Sequence, residues 1–525
     1  MATSVAALLA FQYATARWHA LALAAATVGL NAAWLRNGPV ALATYAIVAA
    51  GAAIGIAHLA TPLHWAVVVA SASLLVTVTG EAIVEKVAGV PPRCAHVPGV
   101  RPAVLTGPRV VEIAGPATII LSAGWAAIGA PVGVLATILA VVAGYCVAVA
   151  AWARRQGGRW PRLRAAVASG EPRFMVHFSA PSSDAFHLLA WLPYLDRIGA
   201  PYVVVLREAH SLRPIAGRTR VPVVVCPTSQ TLSHMVTPTM RAAFYVNNGA
   251  LNAHCVRFRE LTHIQLLHGD SDKATSYNPV TAMFDRIFVA GQAGIDRYRI
   301  HGLDILADKF RIVGRPQVES IQVGIRARPQ GEPNTVLYAP TWVGTHDEDN
   351  HSSLPIAPAI TNALLRRGTL VVFRPHPYSA HDPASARRIA QVEAMLADDR
   401  ARTRRMHVFG DAATQGLTMA ECANLSDALI GDVSAVASDY LYSEKPLAIV
   451  NMGRQPVEEF ADSFPLALAA SVLRRDLSNL DEVLDELLLS DSRRAERLKW
   501  KTYYLGPFPH ETYADAFLDE ARSYL

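Results

Sequence analysis

The chain has 525 residues, of which 52% are hydrophobic and 17% are charged, and its formal net charge is +5. This length allows two or three domains, and the modest charge, without a basic stripe interleaved with aromatic residues, argues against a nucleic-acid-binding protein. The five cysteines are scattered with no C-x-x-C pair. This argues against a zinc site or a disulfide framework and favours a reducing compartment.

Residues 1–155 are dominated by Ala, Val, Leu, Ile and Gly, and several stretches reach the roughly 20 apolar residues that span a bilayer. We expect about five transmembrane helices here, with four or six as alternatives, serving as an anchor without an ion pathway. The spans are expected at 18–36, 40–60, 63–80, 113–130 and 131–153. Basic residues at 81–112 and at 154–164 place the rest of the chain in the cytoplasm.

From residue 172 the pattern changes to short apolar runs separated by helical stretches, which indicates parallel, doubly wound sheets. In the first series, strands are expected at 173–180, 202–208, 221–226, 242–248, 262–269 and 286–291. After a linker rich in Pro, Gly and charge, the second series is expected at 335–341, 370–376, 406–410, 427–432 and 446–450. The sequence therefore predicts two Rossmann-like domains facing across a cleft, at 172–325 and 326–480, followed by C-terminal helices at 481–525.

Unusual polar residues stand at the carboxyl ends of the expected strands, where parallel sheets bind their ligands. They are His268 and Gly269 in "HGDSDK", Thr341 in "YAPT", Arg374 and His376 in "FRPHP", and Asp432 and Ser434 in "GDVSAV". Arginine, protonated histidine and a serine at a helix start can all bind phosphate, although a strand-end turn and ordinary helix capping are structural alternatives. No G-x-G-x-x-G or G-x-x-x-x-G-K-[ST] stands at the first strand of either series, which argues against dinucleotide binding and P-loop chemistry.

The order and separation of these motifs resemble the CDP-glycerol glycerophosphotransferase family, whose members prime and polymerise teichoic acids. The motifs are "HGDSDK" (268–273), "VLYAPTW" (336–342), "FRPHP" (373–377) and "DALIGDVSAVASDYLYSEKPLAIV" (427–450). The resemblance covers about 260–455. It implies a glycosyltransferase-B-like fold and a reaction in which an acceptor hydroxyl attacks the β-phosphorus of a CDP-alditol and expels CMP.

The resemblance also implies roles for individual residues. His268 and His376 correspond to the functional histidines of the family, and Arg374 and Ser434 fall where phosphate contacts are expected. We expect His268 to act as the general base, with Asp270 as an orienting partner or a rival base, while His376, Arg374 and Ser434 hold the diphosphate. Further substrate contacts are expected from Gly269, Lys273, Thr341, Asp432 and Asp439.

Three motifs depart from the family pattern. The usual H-G-T-P-L-K is "HGDSDK", D-Y-S-S is "DVSA" at 432–435, and G-x-P-R-x-D is "GRPQVE" at 314–319. The aspartates Asp270 and Asp272 are unfavourable beside a diphosphate unless they face the acceptor or hold a metal, so we expect them to influence substrate preference. The acidic run "HDEDNH" at 346–351 is expected to be a solvated loop, with metal ligation as the alternative.

The sequence thus predicts a membrane-anchored, cytoplasm-facing transferase. It would move glycerol or ribitol phosphate from a CDP-activated donor to a lipid-linked acceptor during synthesis of a cell-wall teichoic acid-like polymer. One alternative is a glycosyltransferase of capsule or glycolipid synthesis that uses a nucleotide sugar. Another is a non-catalytic membrane protein that binds a nucleotide-linked precursor. The sequence requires no cofactor, and it leaves a divalent cation and an oligomeric state open.

Overall fold

The computed structural model describes residues 92–100, 160–180, 184–273, 276–325, 331–344 and 350–525, with position 329 and short helical pieces between 137 and 151. The predicted membrane spans lie outside the described residues, apart from those pieces. Within the described ranges, no helix combines the length and the apolar character needed to cross a bilayer. The chain divides into two units, Met1–Gly170 with Pro222–Val236, and Glu171–Val221 with Thr237–Leu525.

The strands of the described residues are short and mostly buried on both faces, as expected for sheets that helices cover on both sides. They are β1 Arg93–Ala95, β2 Phe174–Phe178, β3 Tyr202–Leu206, β4 Val223–Val225, β5 Ala242–Tyr245, β6 Thr262–Gln265, β7 Arg286–Val289, β8 Phe310–Ile312, β9 Thr335–Ala339, β10 Leu370–Phe373, β11 Ala428–Gly431, β12 Leu447–Asn451 and β13 Ser471–Arg474.

The helices of the described residues are mostly shorter than three turns. They are α1 Trp160–Ala168, α2 Ala185–Leu189, α3 Leu192–Arg197, α4 Leu212–Ala216, α5 Ser229–Ser233, α6 Ala253–Val256, α7 Gln292–Ile300, α8 Ala357–Arg366, α9 Pro383–Thr403, α10 Asp411–Thr414, α11 Met419–Leu425, α12 Ala435–Tyr440, α13 Val457–Ser463, α14 Leu480–Asp485, α15 Arg494–Leu505 and α16 Asp515–Arg522. The long helix α9 has strong end signals. Asp382 caps its first turn by accepting a hydrogen bond from the Ser385 backbone, Pro383 opens it, and Arg404 ends it in the left-handed conformation.

Two parallel sheets form the framework of the second unit. In the first sheet the strands follow the order β3-β2-β5-β6-β7-β8, and in the second the order is β10-β9-β11-β12-β13. The strand order of the second sheet reverses between β9 and β11, and a crevice at such a reversal is the usual ligand site of an open α/β sheet. The prediction of two parallel α/β sheets is confirmed.

Some strand predictions need correction. The strand predicted at 406–410 is wrong, because only Val408 pairs there, as an isolated bridge with Val372. The adjacent His407 turns its side chain toward the sheet, and its Nδ1 accepts a hydrogen bond from the Val371 backbone at 3.1 Å. Strands β1, β8 and β13 were not predicted. In the first unit, β1 pairs antiparallel with β4.

The second sheet separates two hydrophobic cores. Successive residues of β9 alternate between them, with Val336 and Tyr338 in one core and Leu337 and Ala339 in the other. Helices α8, α9 and α14 cover the first core, whereas α12 and α15 cover the second. This packing fixes the strand ends of the second sheet, and the residues that follow those ends are held in place by it.

The C-terminal helices return to the first sheet. Phe517 on α16 is fully buried, and its ring lies 5.1 Å from that of Trp191 and 6.2 Å from that of Phe288 on β7. On α15, the Tyr503 hydroxyl donates to the carboxylate of Asp296 on α7 at 2.9 Å. The end of the chain therefore packs against both sheets of the second unit.

Candidate active site

The "HGDSDK" loop begins with a strained turn. Leu267 adopts φ 56°, in the left-handed region that a leucine rarely occupies. Two hydrogen bonds hold it there: its N–H donates to Gln265 Oε1 at 3.1 Å, and its carbonyl accepts from Trp191 Nε1 at 2.6 Å. Such strain persists only where the surroundings enforce it, and it occurs often at functional sites. The turn presents His268 at the carboxyl end of β6.

A third histidine, which the sequence analysis missed, lies against His268. The ring of His187, on α2, stacks on that of His268 with 3.6 Å between centroids and 18° between planes. The neighbouring Phe186 meets His376 edge to face at 6.4 Å. Helix α2 therefore contacts both histidines that the motifs singled out, although His268 follows a strand of the first sheet and His376 follows a strand of the second.

These histidines are neutral near pH 7. Burial lowers the pKa of His187 to about 4, and the nearby His376 adds to the shift. Burial, followed by the Lys273 ammonium and His268, lowers the pKa of His376 to about 4. The pKa of His268 also falls, first through burial and then through His187 and Arg315. Part of the His268 ring still meets solvent, as expected for a residue that lines a cleft.

The tautomer of His376 follows from its backbone surroundings. The chain leaves β10 through "FRPHP", and the N–H of Tyr378 donates to Nδ1 of His376 at 3.1 Å. Because Nδ1 accepts this hydrogen bond, the proton of the neutral ring is on Nε2, which is a donor. The rings of Trp342 and Tyr378 lie 6.2 Å and 5.1 Å from the imidazole.

The two unusual aspartates of the loop bind an arginine. The guanidinium of Arg297, on α7, forms ion pairs with Asp270 and with Asp272, the latter at 3.0 Å. The hydroxyl of Tyr504 donates to the second oxygen of Asp272 at 2.6 Å. No hydrogen bond between Asp270 and His268 occurs among the described residues. The single positive charge of Arg297 offsets one of the two negative charges, and the Tyr504 hydroxyl stabilises Asp272, so the like-charge conflict that the sequence raised is reduced.

Lys273 and Asp432 organise the reversal point of the second sheet. Lys273 Nζ donates to Thr341 Oγ1 at 2.8 Å, which links the loop of the first sheet to the end of β9. Asp432 Oδ2 accepts from the backbone N–H groups of Thr341 at 2.7 Å and Ser353 at 3.0 Å. Burial raises the pKa of Asp432 to about 6. Gly269 belongs to the same contact, because a Cβ there would lie 3.2 Å from that of Ala435.

The remaining predicted phosphate ligands differ in their surroundings. Arg374 donates to the backbone carbonyls of Ala413 and Leu417, the latter at 2.8 Å, so protein groups already occupy part of its guanidinium. The hydroxyl of Ser434 is buried at the start of α12 and has no hydrogen-bond partner. Only Nη1 of Arg374 makes these hydrogen bonds, so its Nε–H and Nη2–H groups are unused donors among the described residues, as is the hydroxyl of Ser434.

Arg315 is a further site residue that the sequence analysis missed. Its guanidinium forms an ion pair with Asp439 on α12 and lies 3.4 Å from the carbonyl of His268. The family pattern G-x-P-R-x-D places its arginine two positions later, so a search at that position finds Gln317 instead. The sequence signal that could have identified this residue is that Arg315 directly precedes Pro316, whereas the family pattern has its arginine directly after the proline.

Metal ligands do not converge in the part of the chain that the structure describes: no group there of three or more His, Cys, Asp or Glu is placed to hold a metal ion. Most of the acidic run at 346–351 lies outside the described residues.

The candidate residues follow the carboxyl ends of parallel strands in two α/β sheets, which is the usual position of an active site in such folds. Residues 322–456 match the family model described as CDP-Glycerol:Poly(glycerophosphate) glycerophosphotransferase. The matched segment contains β9 to β12, with His376, Asp432 and Ser434. The family resemblance and the assignment to a transferase are confirmed over this segment of the chain.

Several solved structures are similar to the chain. The wall teichoic acid polymerase TagF is 12% identical, with a TM-score of 0.45, over 70% of this chain and 93% of that one. A putative UDP-N-acetylglucosamine 2-epimerase from Listeria monocytogenes is 12% identical, with a TM-score of 0.45, over 67% and 96%. The UDP complex of MnaA from S. aureus is 10% identical, with a TM-score of 0.44, over 67% and 96%. No curated protein sequence gives a significant match.

Proposed function

We propose that the protein transfers glycerol phosphate or ribitol phosphate from a CDP-activated donor to a hydroxyl group of a lipid-linked acceptor. The product would be a teichoic acid-like polymer of the cell wall. The observation that carries this proposal is the meeting of His268 and His376, from different sheets, around helix α2. The family match over 322–456 supports the choice of donor.

In the proposed reaction, the acceptor hydroxyl oxygen attacks the β-phosphorus of the donor. A P–O bond to the acceptor forms, the bond from the β-phosphorus to the bridging oxygen breaks, and CMP leaves with that oxygen and its electron pair. The hydroxyl proton passes to His268. The lowered pKa of His268 keeps its ring neutral, so that a nitrogen lone pair is available to accept the proton.

Phosphoryl transfer needs donors aimed at the charge on the diphosphate. We assign this role to Nε2–H of His376, to the Lys273 ammonium, to the Nε–H and Nη2–H groups of Arg374 and to the unpaired hydroxyl of Ser434. The other predicted residues would support the site without touching the diphosphate. Asp439 holds Arg315, Asp432 holds the backbone of Thr341, Gly269 permits close packing, and Asp270 anchors the loop through Arg297.

The finer architecture belongs to the same proposal. We propose a glycosyltransferase-B-like arrangement, with an acceptor-side domain at 172–325, a donor-side domain at 326–480, and an N-terminal membrane anchor that leaves the catalytic part in the cytoplasm. The apolar composition of residues 1–155 and the basic residues at 154–164 support the anchor. Carbonate extraction of a membrane fraction tests it, because an anchored chain stays with the lipid.

Nucleotide release distinguishes the candidate activities. The purified full chain is incubated with CDP-glycerol, CDP-ribitol or a panel of nucleotide sugars, together with a lipid acceptor. Release of CMP from a CDP-alditol is the expected result. Release of a nucleoside diphosphate from a nucleotide sugar would instead identify a glycosyltransferase, and binding without turnover would identify a non-catalytic protein.

His376 provides a test of the assigned site. His376→Ala removes the Nε2–H donor, and we expect turnover to fall by about 10²-fold or more, the usual cost of losing a donor to transition-state charge. The exposed His210 supplies the matched control, since His210→Ala should leave turnover unchanged. Near-normal activity of a folded His376→Ala variant would contradict the assignment.

A further inference from the structure

Helix α2 carries a buried histidine that no motif accounts for. The side chain of His187 belongs to the buried set, with a residue exposure of 8%, and its Nδ1 has no hydrogen-bond partner. A buried polar atom without a partner costs free energy, so an apolar side chain would be the more stable choice if packing were the only requirement.

The surroundings of His187 place it between the two motif histidines. One face of its ring stacks on His268, with 3.6 Å between centroids, and Phe186 on the same helix contacts His376. The Tyr378 hydroxyl, two residues after His376, donates to Asp184 just before the helix. One short helix therefore contacts the loops that carry both histidines.

We propose that His187 is a positioning residue, which holds the imidazole of His268 by stacking and, through helix α2, sets its place relative to His376. This inference rests on the proposed function, because that proposal makes His268 the base. His187 itself need not touch the substrate.

The stack also resists protonation of His268. A positive charge on His268 would lie against the face of the buried His187 ring on one side, while the other side of the residue is exposed. The other charged or titratable groups near the cleft are Asp184, Arg315, Lys273 and His376. Asp184 favours the protonated form of His268, whereas Arg315 and His187 oppose it. His187 thus adds to the neutrality that a base requires.

Two substitutions separate stacking from a merely structural role. His187→Phe keeps a flat ring against His268 and removes the unpartnered nitrogen, whereas His187→Ala removes the stack. We expect His187→Phe to retain most of the turnover. His187→Ala should lower kcat on the order of 10²-fold, as misplacing a reacting group does, with little change in the KM for the donor. The exposed His254 on α6 is the control, and His254→Ala should behave as the unaltered protein does.

A second readout does not depend on activity. Diethyl pyrocarbonate modifies neutral, accessible imidazoles, so its reaction with His268, followed by mass spectrometry of the full chain against pH, reports protonation of that ring. In the unaltered protein and in His187→Phe, His268 should stay reactive well below pH 6.5. In His187→Ala the loss of reactivity should move up toward the ordinary histidine range.

The outcomes are distinct. Equal pH midpoints for His268 in all three proteins, or a His187→Ala variant with full kcat, would overturn the role of His187. If no CDP-alditol is turned over, the proposed function fails, but the His268 midpoint still decides whether His187 controls that ring. Thermal unfolding of each variant shows whether the fold is intact, and the conservative His187→Phe keeps the test valid if His187→Ala is unstable.

Discussion

His187, His268 and His376 all resist protonation, because protein groups pack against each ring, although the His268 residue keeps an exposed side. A base must be unprotonated at the working pH, and an ordinary histidine is partly protonated near pH 6.5. Lowering the pKa of these histidines therefore extends, toward acid, the pH range in which an imidazole nitrogen has a free lone pair. The same burial makes the fold sensitive to acid.

At the residue scale this gives a prediction about stability. His187 has a pKa of about 4 when folded and an ordinary value when unfolded, so the unfolded chain binds more protons between pH 6.5 and pH 4. The free energy of unfolding should thus decrease as pH falls through this window, by about 1.4 kcal/mol per pH unit for each such histidine. Asp432 acts in the opposite sense, because its raised pKa lets the folded chain hold a proton that the unfolded chain releases.

Urea titrations across that pH window provide the measurement. His187→Phe should reduce the slope of the unfolding free energy against pH by about 1.4 kcal/mol per pH unit, which corresponds to one proton, because phenylalanine cannot bind a proton. His210→Phe, at an exposed position, serves as the matched control for introducing a phenylalanine. An unchanged slope in His187→Phe would mean that the buried ring does not titrate on unfolding.

At the scale of elements, helix α7 and the "HGDSDK" loop form one structure. Arg297 lies in the middle of α7 and forms ion pairs with Asp270 and Asp272, while Tyr504 on α15 donates a hydrogen bond to Asp272. Two helices therefore hold the loop, and the role of its aspartates is to fix the loop in place. We interpret the departure from the family's H-G-T-P-L-K as a different way to support the loop, rather than a change in the phosphate ligands.

Arg297→Met tests this interpretation. The substitution leaves two buried carboxylates without a cation, and we expect it to lower the free energy of unfolding by about 3–5 kcal/mol. Arg299→Met is the control on the same helix. The Arg299 side chain is 80% exposed and pairs only with Asp296, so its loss should cost less than about 1 kcal/mol. Similar values for the two variants in urea unfolding would contradict a supporting role for Arg297.

At the scale of the whole molecule, the chain returns to its first sheet after completing the second. Phe517 on α16 packs between Trp191 and β7, and Trp191 also donates to the carbonyl of Leu267 in the strained turn before His268. The last helices are therefore connected to the candidate site through one aromatic residue. We therefore expect that a substitution which destabilises the C-terminal helices also disturbs the conformation of the "HGDSDK" loop.

Phe517→Ala tests this connection. Removing a fully buried phenylalanine should lower the free energy of unfolding by about 3–5 kcal/mol, through lost burial and the cavity that remains. Turnover should fall as well, because Trp191 loses its packing partner. Leu489→Ala is the matched control, since Leu489 is 79% exposed and should have almost no effect on either measurement. A destabilised Phe517→Ala protein with full turnover would separate the C-terminal packing from the site.

The sequence by itself determined the parallel sheets, most of their strands and the family. Buried parallel strands appear as continuous apolar runs, and their carboxyl ends are where His268, His376 and Asp432 stand. These features are local in the chain, so spacing and residue type are enough to find them. Strands β1, β8 and β13 and the segment around His407 were not predicted correctly, because side-chain packing between remote segments decides them.

Only the tertiary structure decided which side chains meet. His187 lies far from His268 in sequence, and a histidine on a short helix carries no pattern that points to a stacked partner. The same holds for Arg297, which forms ion pairs with two aspartates, and for Arg374, whose Nη1 donates to backbone carbonyls. Pairing of charges and stacking of rings depend on distances of a few ångströms between segments that are remote in the chain, and only folding sets those distances.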